Sequence, residues 1–261
     1  MRVASLALRT TLDIQRSFGL VEDKGDYIVL RTPSVPDYWY GNCIAMPGPP
    51  ADGDLDAWER LFRAELPGCA HRVFLVDGID GDMGAAGRFE AAGYEARAYD
   101  VLSAEAPRPA GPPAEGVEYR PFISDSDWAA GVETSRTVNA GSPGYSRGYV
   151  ERSFSAARRA VERGDGLWWG AWDGDIAVGQ MGLFIRDGLA RFRNVETHPD
   201  YRRRGICRSL LFAACDAERR RRGGLRFVIV PEDGSVRRIY ESVGFGYAER
   251  TVDFCRKPPE A

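Results

Sequence analysis

A chain of 261 residues is long enough for one large domain or two of ordinary size. Its apolar fraction of 44% and charged fraction of 28% are those of a globular protein, and a net charge of −3 supplies no global positive field to draw it onto nucleic acid or an anionic membrane. No apolar run approaches the roughly 20 residues of a spanning helix, which excludes a helical membrane protein.

In chain order, the opening Met1-Arg2-Val3-Ala4-Ser5-Leu6-Ala7-Leu8-Arg9 has the outline of a signal sequence. Arg9 ends its apolar run too early, so a mature start is expected. The pattern then predicts a helix over 54–66, a strand over 72–76, a helix over 84–92 and a strand over 94–102. Residues 105–116 carry Pro107, Pro109, Gly111, Pro112, Pro113 and Gly116 and can continue neither a helix nor a central strand. They are expected to form a stiff linker between a first domain, 1–104, and a second, 117–258.

In the second half, the pattern predicts a strand over 117–122 and a helix over 125–138, with Ser124 or Asp125 as N-cap. After the break at Gly141-Ser142-Pro143-Gly144 comes an amphipathic helix over 149–163. Strands over 167–172, 176–186 and 189–197 follow, joined by the hairpin turns Asp173-Gly174-Asp175 and Asp187-Gly188. A long helix over 205–222 has Leu210, Leu211, Ala214 and Ala217 on its apolar face. A buried strand over 225–230, a short helix over 235–243 stopped by Gly244, and a strand over 245–254 complete a mixed α/β sheet domain.

The first half echoes the end of this layout. Phe89-Glu90-Ala91-Ala92-Gly93-Tyr94 is similar to Tyr240-Glu241-Ser242-Val243-Gly244-Phe245, and the strands at 73–76 and 227–230 sit at nearly the same offset. That spacing suggests an internal duplication.

The five cysteines, Cys43, Cys69, Cys207, Cys215 and Cys255, are an odd number without CxxC spacing. Reduced thiols and a cytoplasmic location are expected. The only histidines, His71 and His198, are far apart, which argues against a His/Cys zinc site.

The segment that carries chemistry is Val195-Glu196-Thr197-His198-Pro199-Asp200-Tyr201-Arg202-Arg203-Arg204-Gly205-Ile206-Cys207-Arg208. A strand ends at Thr197, Pro199 stops further pairing, and an arginine-rich loop enters a helix near Gly205. The first N–H groups of that helix lack intrahelical partners and lie at the positive end of its dipole. Gly205 admits a ligand close to the backbone. The combination suits a phosphate or pyrophosphate, although it is neither a Walker A loop nor GxGxxG.

Arg202-Arg203-Arg204-Gly205-Ile206-Cys207 resembles the Q/R-x-x-G-x-G/A loop of the GNAT superfamily of acyl-CoA-dependent N-acyltransferases. Cys207 replaces the usual Gly or Ala, and Asp233 stands where the family often has Asn. Val236, Ile239, Tyr240 and Gly244-Phe245 follow in order, so the resemblance covers roughly 117–256. It implies a mixed, mostly antiparallel sheet flanked by helices, here in two tandem copies, of which the first has lost the site. The first copy has Pro47-Gly48-Pro49-Pro50-Ala51-Asp52-Gly53 in place of the loop and Phe89 in place of Tyr240.

The resemblance further implies an N-acetyltransferase that moves an acetyl group from acetyl-CoA, as co-substrate and without a metal, to a primary amine in a ternary complex. Val195 and Thr197 would offer main-chain groups to the pantetheine arm. Arg202, Arg203, Arg204, Gly205, Ile206, Cys207, Arg208 and Asp233 would line the cofactor site. Tyr240 would protonate the departing thiolate.

A general base is needed, because an alkylamine is mostly charged at pH 7. Glu196 is the first candidate, although its side chain alternates away from those of Val195 and Thr197. Glu133 is the second, with an ion-paired carboxylate the plainer reading, and His198 is read as shaping the turn. Cys207 is read as packing rather than nucleophilic, and Arg219-Arg220-Arg221-Arg222 as a solvated face. Of Trp168 and Trp169, one is expected in the core and the other along the acceptor cleft.

The acceptor, a small-molecule or peptide amine, would lie over 134–154, where Asn139, Ser142, Tyr145 and Arg147 are polar. No nucleic acid or membrane partner is expected, and a homodimer is allowed for. A catalytically silent CoA-binding module and a longer acyl-CoA are the competing readings.

Overall fold

The computed structural model describes residues 1–142, 144–231 and 234–258. The chain divides into two units, Met1–Val101 with Ala248–Ala261, and Leu102–Tyr247.

The first unit opens with α1 (Leu6–Phe18), capped by Ser5, whose hydroxyl accepts from the Leu8 N–H at 3.1 Å. Two carboxylates complete this helix start. Asp77 accepts from the N–H groups of Ala4 and Ser5, and Glu249 from those of Leu6 and Ala7. Negative charge suits the positive end of a helix dipole. Leu8 and Leu12, one turn apart, pack against Ile28, Leu30, Cys43 and Val73.

Strands β1 (Leu20–Asp23), β2 (Ile28–Arg31) and β3 (Cys43–Met46) run antiparallel in sequence, and β4 (Arg72–Val76) lies parallel to β3. A parallel pair requires a crossover, supplied by α2 (Asp54–Glu65). Next come α3 (Ala86–Ala91) and β5 (Glu95–Ala104). Trp58 and Phe62 of α2, Phe74 of β4 and Phe89 of α3 form an aromatic core with Tyr94 and Phe254.

The predicted elements from Asp54 to β5 are all present, with ends shifted by one or two residues. Those before Asp54 have no counterpart in the sequence reading. Strands β1 to β3 have four residues each, too few to display a period, and α1 begins inside the segment read only as a chain start.

The second unit contains β6 (Glu118–Pro121), α4 (Asp125–Val138), α5 (Arg147–Glu162), β7 (Gly166–Asp173), β8 (Ile176–Arg186), β9 (Leu189–Thr197), α6 (Ile206–Arg222), β10 (Arg226–Ile229) and α7 (Arg237–Ser242). The first four strands form an antiparallel meander, and β10 joins β9 in parallel after the α6 crossover. A mixed, mostly antiparallel sheet flanked by helices is therefore observed, with α4, β8 and β9 at their predicted bounds.

One face of this sheet packs Met181, Leu183, Phe192 and Phe227 against Ile206, Leu210 and Leu211 of α6. On the α4–α5 face, Trp128 and Phe154 meet Trp168. Ser124 caps α4 in a reciprocal capping box with Asp127, which also binds Arg120 through two 3.0 Å contacts. Burial raises the Asp127 pKa, but Arg120 and the N–H groups of Ile123 and Ser124 outweigh it and hold the carboxyl at about 2.

Two expectations about chain path need correction. The last strand, β11 (Gly246–Arg256), pairs antiparallel with β4 in the first unit, so residues from Ala248 onward do not close the second domain. The place beside β10 is filled by the end of β5, with Leu102, Ser103 and Ala104 opposite Ile229, Val228 and Phe227. Local patterning identifies a strand but not its neighbour.

Residues 105–116 are also not a free linker. Ala110 and Ala114 pack on the core of the second unit, and the Arg108 N–H donates to the Val243 carbonyl at 2.8 Å. Proline prevented regular structure here, but Pro107 is buried and Ala110 and Ala114 are half-buried.

Candidate functional site

Strand β9 departs from a regular ladder in two ways. The first is a bulge. Gly182 pairs with Arg193 and Gln180 with Glu196, so two steps on β8 span three on β9. The extra residue is at Asn194, whose φ is +49°. Its consequence follows from the two-residue period of a strand. In a regular strand Glu196 would share the face of Phe192, against α6. The bulge returns Val195 to that face, where it packs on the apolar cluster, and turns Glu196 under α4.

The second departure is a splay. Pairing between β9 and β10 runs from Leu189–Arg226 to Arg191–Val228 and stops. Beyond it, β9 keeps its partner on the β8 side only, where the His198 N–H donates to the Val178 carbonyl at 2.9 Å. By alternation from His198, the main-chain groups of Val195 and Thr197 face the opened side.

The loop then makes a 3₁₀ turn, Pro199–Tyr201. His198 caps it, its Nδ1 accepting from the Asp200 N–H at 3.3 Å, which is the turn-shaping role expected of it. Tyr201 donates to Asp173 at 2.8 Å, and the Arg204 guanidinium lies 4.8 Å from the Tyr201 ring centre. Arg202 reaches the Thr197 carbonyl at 3.4 Å.

Arg203 (φ +63°) and Gly205 (φ +80°) both occupy the left-handed region, and Gly205 is the N-cap of α6 without a side-chain cap. The first internal bond at this end is from the Ser209 N–H to the Gly205 carbonyl. The N–H groups of Ile206, Cys207 and Arg208 precede it and point out of the helix start. Arg208 folds over Gly205, where a Cβ would lie 2.9 Å from its Nε. Segment Arg202–Arg208 thus sets three arginines of the loop and Arg208 in a cradle around a helix start with free main-chain donors. Asp233 lies outside the described residues.

Cys207 is packed against the core, and burial pushes its thiol up to about 12. A thiol held there is not a nucleophile at neutral pH. The Arg219–Arg222 run pairs along its helix with Asp216 and Glu218, as a solvated face does. Trp168 and Trp169 are both buried, on opposite faces of the sheet, so neither opens onto a cleft.

Tyr240 lies on α7 at 5% exposure, in the cluster that holds Ile206 and Leu210, with Val195 and Cys207 packed against it. Glu196 is on the opposite face of the sheet. It is 8% exposed and accepts from Ser135 Oγ (3.1 Å), Asn139 Nδ2 (2.9 Å) and Gln180 Nε2 (2.7 Å). Burial raises its pKa above the ordinary glutamate value, against the opposing effect of these donors.

The orientation of Gln180 is fixed from behind. Trp168 Nε1 donates to its Oε1 at 3.1 Å, so its amide group must point at Glu196 and at the Gly131 carbonyl. Gln180 and Ser135 were absent from the sequence-derived site. A single amide inside an apolar strand, and the i, i+4 pair Ser135 and Asn139 on α4, were the available signals.

A cleft of about 370 Å³ lies beside this network, lined by Glu133, Arg136, Asn139, Ala140, Tyr145 and Arg147. It coincides with the region expected to take the acceptor. Glu133 is exposed there and ion-paired with Arg136. Among the described residues, no group of three or more His, Cys, Asp or Glu is placed to hold a metal, and no helix is long and apolar enough to cross a membrane.

Residues 164–246 match the model of the acetyltransferase (GNAT) domain. No curated protein matches the chain. Among solved structures, a conserved protein of unknown function from Staphylococcus epidermidis ATCC 12228 is similar at 12% identity and a TM-score of 0.73, over 92% of this chain and 94% of that one. A GCN5-related N-acetyltransferase from Kribbella flavida is similar at 16% identity and a TM-score of 0.62, over 98% and 97%. A tandem GNAT protein from the clavulanic acid biosynthesis pathway is similar at 12% and 0.51, over 73% and 65%. At these identities the likeness is one of fold. The chain carries a GNAT-fold, acetyltransferase-like domain.

Proposed function

We propose that this protein transfers an acetyl group from acetyl-CoA to a primary amine by direct attack in a ternary complex. The observation that carries the reading is β9 itself. Its splay exposes Val195 and Thr197 beside the donor-rich start of α6, and its bulge sets Glu196 beneath the acceptor cleft.

In this reading Arg202, Arg203, Arg204, Gly205, Ile206, Cys207 and Arg208 hold the pyrophosphate, and the acetyl thioester is the acyl source. Glu196, directly or through water, accepts the proton that the amine must lose. The amine nitrogen then bonds to the acyl carbon as the carbon–sulfur bond breaks. A main-chain N–H of the splayed segment faces the developing oxyanion. Tyr240 gives its proton to the departing thiolate, and the second proton of the acylated nitrogen leaves through solvent, which reprotonates Tyr240. The five free thiols support a reducing, cytoplasmic setting.

The reading extends to two tandem copies with one site, the first made of Met1–Val101 with the chain from Ala248 onward and the second of Leu102–Tyr247. Each unit has the same pairing sequence: antiparallel (β2–β3, β8–β9), parallel through a helix (β3–β4, β9–β10), then antiparallel to a final strand (β4–β11, β10–β5). The loop before α2 lacks the cradle. Asp54 and Asp56 stand in the first turn of that helix, where they would repel a phosphate.

Calorimetric titration with CoA, combined with an assay of thiol release from acetyl-CoA over a panel of amines, tests both parts. One CoA per chain and amine-dependent release are expected. Two equivalent sites would overturn the single-site reading. Tight CoA binding with no release for any amine would favour a silent CoA-binding module.

A further inference from the structure

We infer that the acceptor is a small amine that also carries an anionic group, a carboxylate or a phosphate, seated in the cleft between the end of α4 and the start of α5. This rests on the acyltransferase reading above and names its substrate class.

The cleft, about 370 Å³ and open to solvent, holds a small amine directly beside the Glu196 network. Its two ends differ chemically. Asn139 lines one part and donates to Glu196, so the amine that must lose a proton belongs there. Elsewhere the lining holds two arginines, Arg136 and Arg147, and one carboxylate, Glu133.

Arg136 is already engaged, with one guanidinium nitrogen on Glu133 and another on Glu151. Both of these carboxylates are therefore spent on the better buried arginine. Arg147 shares Glu151 only through a 3.4 Å contact and is 80% exposed. It is the least neutralised charge facing the cleft. A guanidinium in that state offers a planar pair of donors matched to a carboxylate or phosphate. Tyr145, edge-on to Tyr149 with ring centres 5.4 Å apart, adds an apolar wall for a short carbon skeleton. The anionic group takes no part in bond making. It fixes the amine in register with Glu196.

The test uses the full chain saturated with CoA, titrated by calorimetry with amino acids of increasing chain length, their methyl esters, phosphoethanolamine, and a neutral lysine-containing peptide. Thiol release from acetyl-CoA is followed with the same compounds. At least one amino acid, or phosphoethanolamine, should bind on the order of tenfold more tightly than its uncharged counterpart. The two arms distinguish carboxylate from phosphate. Arg147→Ala should remove most of that preference, while Arg147→Lys should restore part of it. Equal binding of acids and esters, tighter binding of the peptide, no binding of any compound, or an undiminished preference in Arg147→Ala would each overturn the inference. Preferential binding of an acid without any thiol release would leave the cleft as a site for anionic amines and remove the acyltransferase reading.

Discussion

Replacing Glu196 by glutamine separates a base from a structural anchor, because the buried network around it can re-form in part. Gln180 cannot turn its amide, since Trp168 holds its oxygen, so the new carboxamide must present its oxygen to Gln180 Nε2. Its NH₂ then faces Ser135, whose hydroxyl can rotate to accept. Asn139 loses one acceptor but keeps the Ser135 carbonyl at 2.9 Å. The Ser135 hydroxyl proton nevertheless loses its Glu196 acceptor and the Asn139 amide meets a donor in its place, so the exchange should cost about 1–3 kcal/mol.

The pH linkage has the opposite sign. The folded pKa of Glu196 is raised, chiefly by burial, so its favourable contribution is complete below the unfolded value of 4.5 and is lost as pH rises through the folded value. At neutral pH the variant is spared the burial of a charge, which offsets part of the lost hydrogen bonding, so it should stay folded and melt near the parent. Turnover should nevertheless fall by about 10²- to 10⁴-fold, the usual worth of a general base. The parent kcat/KM should decline as pH falls through a pKa above the ordinary glutamate range, and the variant should lack that limb. Thiol release measured across pH, beside thermal melts, reads both effects. Turnover within about threefold of the parent would refute the assignment of Glu196 as the base.

Tyr240→Phe should lower kcat while leaving the calorimetric CoA affinity nearly intact, and unchanged turnover would remove Tyr240 from the acid role. Gly205→Val places a β-branched residue at φ +80° in the cradle. It should cost about 1–2 kcal/mol of stability and weaken CoA binding on the order of tenfold, read by denaturation and calorimetry. Asp127→Asn removes a carboxyl held at about 2 against an ordinary 3.8, and should cost about 2 kcal/mol at pH 7. Because that pKa is lowered, the stability is present above the unfolded value and lost as pH falls through about 2. Urea unfolding at pH 7 and near pH 2 should show the gap close, and an equal gap at both would contradict the linkage.

The sequence by itself determined the elements with long periods and clear punctuation. Helix α4 was legible from Ser124 and its apolar spacing, and β8 and β9 from the glycine turns that bound them. The cradle was legible too, because Pro199, the arginines and Gly205 act through local backbone chemistry that needs no distant partner.

Tertiary structure decided what depends on neighbours. Nothing in Val195-Glu196-Thr197 discloses that Asn194 adopts a left-handed conformation and turns Glu196 under α4. Nor does the chain around Gln180 disclose that Trp168 will orient its amide. The patterns of β5 and β11 do not name a partner, and their pairing with β10 and β4 is set by which strand each one meets. Short-range forces write helices, turns and caps into the sequence. Side-chain facing and strand partnership are settled only when a one-residue bulge, or a choice of edge, is fixed by the packing around it.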